Sequence, residues 1–304
     1  MSTPTPTEIH TSSGAHLLFT ENTVIKTHRA GTNPLELVRR LSLWPSDVGL
    51  TALQVDLSCD PPNSTWPRVH TMNREQPDWR GVGELLGRLH RPAPPQAPVH
   101  GWGERLVRAV QPLRAGWMRD LGISLVTEVA ARFPAGQPDG TWLIHGDFHL
   151  GQLGLVPRSP LGTGANPQQD PLLEGFAPAS KSKEVQSQDV GPLGTAEVVP
   201  PPDYDLVLLD PDDFGVGDPA WDLARIGGFW AAGLIDDADW FDFFRGYRST
   251  AVTPLAKAKH PWDLIDLPAR VAVFVAASRQ RLHSPDTAFA LREACRAMAN
   301  LSHE

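Results

Sequence analysis

The apolar residues of this chain change period at Pro77, and that change restricts the fold more than any single motif does. Upstream, β-prone runs dominate. Residues 16–28, HLLFTENTVIKTH, predict a β-hairpin in which the turn-prone Glu21-Asn22 pair separates two strands. A second β-prone stretch, 50–57, leads through a Pro/Asn-rich loop to Trp66-Pro67-Arg68-Val69. Between these runs a helix is expected, with Asn33 as N-cap and Pro34 at its first position. Leu37, Val38 and Leu41 continue it at helical spacing. Downstream, Trp79, Val82, Leu85, Leu86 and Leu89 form an apolar helical stripe that Arg91-Pro92 closes. Further helices are predicted over 103–113, 121–133, 219–234, 237–250, 262–282 and 286–301, with strands at 141–145 and 152–156. A small sheet carrying one helix, followed by a mainly helical region, is an α+β layout.

At 304 residues, 41% of them hydrophobic, the chain has material for one large domain or for two units sharing a cleft. Ten tryptophans argue against wholesale disorder. A net charge of −8 argues against the basic face that a nucleic-acid scaffold needs. No run approaches the ~20 apolar residues of a membrane span, and Met1 to Thr7 lacks an apolar signal core. A cytoplasmic protein without nucleic-acid or membrane partners is therefore expected. Cys59 and Cys295 support neither a disulfide framework nor a thiolate zinc site. Residues 157–203, rich in Pro, Gly, Ser and Gln, predict a flexible, disordered insertion.

Chemistry concentrates in WLIHGDFHLGQLGLV, residues 142–156, where a short polar core lies between two strand candidates. A metal site, a catalytic loop and a decorated turn would all suit its two histidines and one carboxylate. His145 and His149 stand four apart, but Gly146 leaves no helical face to align them, and no third nitrogen or sulfur ligand lies nearby. After the insertion, Leu206–Leu209 predicts a buried strand with Asp210 at its C-terminal end. A carboxylate there is expensive to bury alone, so it should be hydrogen-bonded, exposed or bound to a cation. A loop with Asp147 and Gln152, beside a strand ending in Asp210, supplies what phosphoryl transfer needs. One carboxylate accepts a hydroxyl proton, and hard oxygen donors hold Mg²⁺ against the phosphates.

His145-Gly146-Asp147-Phe148-His149-Leu150-Gly151-Gln152 resembles the catalytic loop of the aminoglycoside phosphotransferase-like, choline-kinase-type small-molecule kinases, relatives of the protein kinases. Its Asp-x-x-x-x-Gln spacing matches H-R-D-x-x-x-x-N, with Gln for Asn. As HGDxHLGQ it is similar to the loop of bacterial maltokinase-like sugar kinases. Leu208-Leu209-Asp210, with Gly217-Asp218-Pro219-Ala220-Trp221-Asp222-Leu223-Ala224, resembles the same family's metal-binding strand and following helix. The likeness covers 16–301 in layout and is specific in 145–152 and 206–224.

That resemblance implies a two-lobed protein-kinase-like fold, with an ATP-binding lobe over 8–70 and a larger, mainly helical catalytic lobe over 71–304. It implies ATP and Mg²⁺ as cofactors and a sugar, amino sugar or aminoglycoside-like acceptor. Asp147 becomes the catalytic base, and Gln152 and Asp210 the Mg²⁺ ligands. Val24-Ile25-Lys26 has the shape of the kinase strand whose lysine meets the nucleotide phosphates, with Val24 on the same face against adenine. Glu36, in the first turn of the next helix, is then the expected ion-pair partner of Lys26. His145 becomes loop framework, and His149 a partly exposed loop residue near the substrate. Asp218 reads as a helix N-cap tied to the loop, and Asp222, one turn on, as part of the same scaffold. Asp212 and Asp213 are either secondary metal or substrate contacts or solvated turn acids. Thr11 to Ala15, with one glycine, is a poor phosphate loop, and the adenine hinge is expected near Pro67 to His70. Trp230, Trp240, Phe241 and Phe244 suit either a sugar platform or the core. Two other readings remain: a nucleotide-binding pseudokinase, and a metal-dependent hydrolase using His145, Asp147, His149 and Asp210. A serine hydrolase lacks its G-x-S-x-G elbow.

Overall fold

The expected hairpin forms as β2 (His16–Phe19) and β3 (Thr23–Thr27), with Leu17 opposite Lys26. The computed structural model describes residues 7–11, 14–72, 76–133, 141–158, 204–279 and 283–301. β1 (Thr7–His10) flanks the hairpin on one side, and β5 (Asn63–Pro67) then β4 (Gln54–Asp56) on the other, giving an antiparallel sheet in the order β1-β2-β3-β5-β4. The strand expected over 50–57 shortens to β4 because the backbone before it is engaged elsewhere. Leu50 N–H donates to Leu208 O at 2.8 Å, and Val48 O accepts from Leu208 N–H at 2.8 Å. Helix α1 (Pro34–Leu43) starts as its sequence dictates, with the Asn33 side chain accepting from the Leu35 and Glu36 amides.

Helices α2 (Trp79–Leu89), α3 (Trp102–Val110), α4 (Trp117–Arg132), α5 (Ala220–Ala231), α6 (Asp237–Thr250), α7 (Pro254–Lys257), α8 (Trp262–Ser278) and α9 (Pro285–Leu301) build the larger lobe. One apolar core, with Leu85, Leu86, Phe148, Phe243 and Tyr247, lies where α2 crosses α6. Glycines let these helices touch backbone to backbone: a Cβ on Gly83 would stand 2.0 Å from Phe243 O. A second core, with Leu125, Trp221, Val271 and Phe274, joins α3, α4, α5, α8 and α9. Trp240 and Phe244 are buried, and Trp230 stacks on Trp240 with ring centroids 5.2 Å apart. These three therefore belong to the core, while Phe241 is exposed.

Two small sheets carry the chain between the lobes. β7 (Trp142–Ile144) pairs with β10 (Gly215–Gly217), and β6 (His70–Thr71), β8 (Leu153–Pro157) and β9 (Tyr204–Leu208) form the other in that order. β8 and β9 run antiparallel from Leu153 opposite Leu208 to Pro157 opposite Tyr204. The chain between these strands thus leaves the hairpin at the end away from Asp210. Beyond Arg158 the expected insertion lies outside the described residues. Among the described residues no helix is long and apolar enough to cross a membrane.

Candidate active site

Two strands aim the polar residues at one place: β7 runs into the 145–152 loop, and β9 runs into Asp210. Asp210 is the only non-glycine residue with positive φ among those described (φ 59°, ψ 72°). That left-handed conformation costs a residue with a Cβ about 1–2 kcal/mol. It turns the carboxylate back towards β3, where Lys26 Nζ stands 2.5 Å from Asp210 Oδ1 and 2.8 Å from Asp212 Oδ2. Burial alone would pull the Lys26 pKa down, but Asp210 and Asp212 outweigh it and hold the ammonium above the ordinary lysine range. Burial would likewise push Asp212 up, yet Lys26 and, after it, His28 keep its carboxyl well below the usual range.

The expected Lys26–Glu36 pair does not form. Glu36 meets Arg40, one turn along α1, and Arg40 also donates to Phe214 O and, at 3.0 Å, to Val99 O. The physical reason is competition: Asp210 and Asp212 already flank the ammonium, and Arg40 sits on Glu36's own helical face. Val24 shares the buried face of β3 with Lys26 and packs with Leu17 and Phe19.

Gln152 is buried on the other side of Asp210, its Nε2 donating to Asp210 Oδ2 at 3.3 Å. Gln152 Oε1 and Asp212 Oδ1 are both buried without a hydrogen-bond partner among the described residues. Each such oxygen costs about 1–3 kcal/mol. Two of them, beside the Asp210 carboxylate, make an all-oxygen donor set suited to a hard divalent cation such as Mg²⁺. Among the described residues no three His, Cys, Asp or Glu side chains cluster as a metal site, so the Gln152 amide is essential to that fit.

The loop itself is tied down by Asp222, in the first turn of α5. Its carboxylate accepts from the amides of His145 (2.6 Å) and Gly146 (2.9 Å) and from His90 Nε2 (3.0 Å). His90 Nδ1 accepts from Tyr247 Oη at 2.8 Å, which in turn pairs with Thr253 Oγ1 at 2.9 Å. Burial would raise the Asp222 pKa, but the hydrogen bond from His90, with that from the His145 amide, leaves it lowered. Burial pushes the Tyr247 phenol up and keeps it a donor. Gly146 has φ 79°, and a Cβ there would lie 2.1 Å from Asp213 O, so only glycine fits. His145 Nδ1 accepts from the Asp147 amide at 3.3 Å, and Nε2 donates to Leu209 O at 2.7 Å. Both ring nitrogens are engaged in framing the loop, which removes His145 from the hydrolase reading. His149 Nδ1 accepts from Gly151 N–H at 3.0 Å. Asp218 lies one residue before the cap position, Pro219, and accepts from the Ala220 amide at 2.9 Å.

Asp147 has a partner that sequence spacing did not single out. Arg105 of α3 donates through Nη1 to Asp147 Oδ1 and through Nη2 to Asp213 Oδ2. The signal was an arginine in register with Trp102, Leu106 and Ala109 on the buried helix face. His28, His90 and Tyr247 carry no such signal in the sequence. A cleft of about 1040 Å³ opens beside this cluster between α1 and α3, bordered by Arg29, Arg39, Arg108, Asp212 and Asp213. Of the proposed phosphate loop, residues 12–13 lie outside the described residues, and Thr11 Oγ1 accepts from Ala15 N–H at 3.0 Å. The hinge stretch contains the last residue of β5 and the first of β6, with Arg68 N–H bonded to Asn22 O at 2.8 Å.

A small antiparallel sheet with one helix, set over a helical lobe with an Asp147 loop and an Asp210 strand end between them, is a two-lobed protein-kinase-like fold. Solved structures place it more narrowly. Choline kinase LicA from Streptococcus pneumoniae superposes with a TM-score of 0.56 at 13% identity, over 98% of this chain and 94% of that one. A thermostable mutant of aminoglycoside phosphotransferase APH(4)-Ia gives 0.53 at 11% identity, over 99% and 96%. A microcompartment-associated aminopropanol kinase gives 0.50 at 14% identity, over 98% and 91%. The chain therefore has the fold of the choline kinases and aminoglycoside phosphotransferases. No protein-family model matches the sequence, and no curated protein matches it at a significant level.

Proposed function

We propose that the protein is an ATP- and Mg²⁺-dependent phosphotransferase acting on a hydroxyl of a small molecule, a sugar, amino sugar or aminoglycoside-like compound. The observation that carries this reading is the meeting of Lys26, Gln152, Asp210 and Asp212, with Asp147 tied to the same turn through Arg105 and Asp213, and with two buried oxygens unpartnered among the described residues. Residues 8–70 form the nucleotide lobe and 71–304 the acceptor lobe, and the cleft beside Asp213 admits the acceptor. The protein works in the cytoplasm, where its nucleotide is abundant.

Asp210, Gln152 and Asp212 would hold Mg²⁺, which when bound supplies positive charge against the nucleotide phosphates. Lys26 turns from its carboxylates to the phosphate oxygens. Asp147 accepts a hydrogen bond from the acceptor hydroxyl and orients its oxygen at the γ-phosphorus. As the new O–P bond forms, the bond from the γ-phosphorus to the β,γ-bridging oxygen breaks, ADP leaves, and the hydroxyl proton passes to Asp147. Asp222 and His145 keep the loop in place without touching substrate.

Mg²⁺-dependent ATP consumption across sugars, amino sugars, aminoglycosides and small amino alcohols tests the proposal. Turnover that needs both Mg²⁺ and one acceptor class supports it. ATP binding without turnover for any acceptor, unchanged in Asp147→Asn, would instead assign a nucleotide-binding pseudokinase.

A further inference from the structure

We infer that Arg105 is a positioning residue for the base: from α3 it holds one oxygen of Asp147 and, through Asp213, locks that carboxylate to the turn after Asp210. The inference deepens the phosphotransferase reading and rests on it.

Three elements meet in this one guanidinium. Nη1 serves Asp147 on the loop after β7, and Nη2 serves Asp213 on the turn after β9. Arg105 itself is 7% exposed, with its guanidinium carbon 5.3 Å from the Trp102 ring centroid. Its neighbours Trp102, Leu106 and Ala109 are packed in the second core. The cation is thus anchored to a rigid helix face, a better base for precise placement than a loop.

Stability alone is a poor explanation for it. Burial pulls the guanidinium down to about 10, and the charges of Arg279 and Arg225 act in the same direction against Asp213. Its Nε is buried without a partner among the described residues. Apolar side chains commonly replace such buried ion networks without loss of stability. A role as a block on the base fits no better, because Arg105 engages Asp147 through Oδ1 alone. Among the described residues Oδ2 makes no hydrogen bond, and the side chain is 23% exposed. One oxygen fixes the orientation while the other remains open to a hydroxyl.

The test measures Mg²⁺-dependent ATP turnover by the full chain, with water as the acceptor-independent probe and with any acceptor found in the screen. Wild type is compared with Arg105→Ala, Arg105→Gln, Arg105→Lys and Asp213→Ala. Misplacing a reacting group by about 1 Å costs on the order of 100-fold in rate. Arg105→Ala and Arg105→Gln are therefore expected to lose about 10- to 100-fold in kcat. The KM for ATP should stay within about twofold, and Arg105→Lys should recover part of the loss. Asp213→Ala is expected to give a smaller loss of the same kind. If Arg105→Ala does not fold, Arg105→Gln and Asp213→Ala carry the test. Unchanged or raised kcat overturns the inference, as does a loss that only follows a lowered melting temperature. A wild type that turns over no ATP overturns the phosphotransferase reading itself, an outcome distinct from an active wild type matched by its Arg105 variants.

Discussion

Asp222 and the Asp210–Asp212 pair are carboxylates in the same lobe, and they are treated in opposite ways. Asp222 is fully buried, and both its oxygens accept, from two backbone amides and one histidine. The Asp210–Asp212 pair shares one ammonium, Asp210 has a left-handed backbone, and among the described residues an oxygen of Asp212 has no partner. The first carboxylate is complete by itself; the second pair is left short of partners among the described residues. Local incompleteness of this kind, in a chain whose other levels agree, is where a ligand belongs.

That comparison can be broken most forcefully at Asp147. Asp147→Asn is expected to lower kcat about 10²- to 10⁴-fold while ATP binding, by titration calorimetry, and melting temperature hold. A fall in melting with little change in kcat would place Asp147 with the scaffold. Next in size is Asp222→Ala, which strands His90 and two amides and should cost about 3–5 kcal/mol in urea unfolding. The sign of its pH dependence follows from the lowered pKa. The carboxylate stabilises the fold at pH values above its unfolded pKa of about 3.9. That stabilisation fades as pH falls through the still lower folded value, so the acid limb of a stability profile should flatten in Asp222→Ala.

Gln152→Leu should do the reverse of Asp222→Ala. On the proposed reading Gln152 holds Mg²⁺, so its loss is expected to raise the Mg²⁺ concentration for half-maximal turnover about 10- to 100-fold. Removing an unpartnered buried oxygen should leave unfolding within about 1 kcal/mol of wild type. A large stability loss would mean that Gln152 is framework. Smallest is Glu36→Ala: because Glu36 pairs with Arg40 and is partly exposed, stability should drop by less than about 1 kcal/mol. The KM for ATP should not move; a tenfold rise would restore Glu36 as a support for Lys26.

The parts legible in the sequence are those fixed by short-range rules. The Asn33-Pro34 start of α1, the 16–28 hairpin and α6 over Asp237–Thr250 follow from caps, turns and period. Gln152 and Asp210 were legible as neighbours because the end of a loop and the end of a strand suffice to bring them together. What stayed hidden depends on pairs far apart in the chain: Lys26 with Asp210 and Asp212, Arg105 with Asp147 and Asp213, His90 with Asp222 and Tyr247. The resemblance, with Glu36 in the first turn of the helix after the Lys26 strand, suggested Glu36 for Lys26, but chain order does not decide the partner when two distant carboxylates reach the same ammonium. The shortened β4 has the same origin, since β9 recruits the backbone of Val48 and Leu50.

The register of β8 and β9 has a consequence for protein engineering. Because Pro157 stands opposite Tyr204 while Leu153 stands opposite Leu208, the ladder itself sets the spacing of the two strands. Gln152 and Asp210 follow directly from its other end. The ends at Arg158 and Tyr204 are therefore separated from the Gln152–Asp210 contact by several rungs of paired backbone, which makes that junction a natural port for splicing in a reporter or a second module.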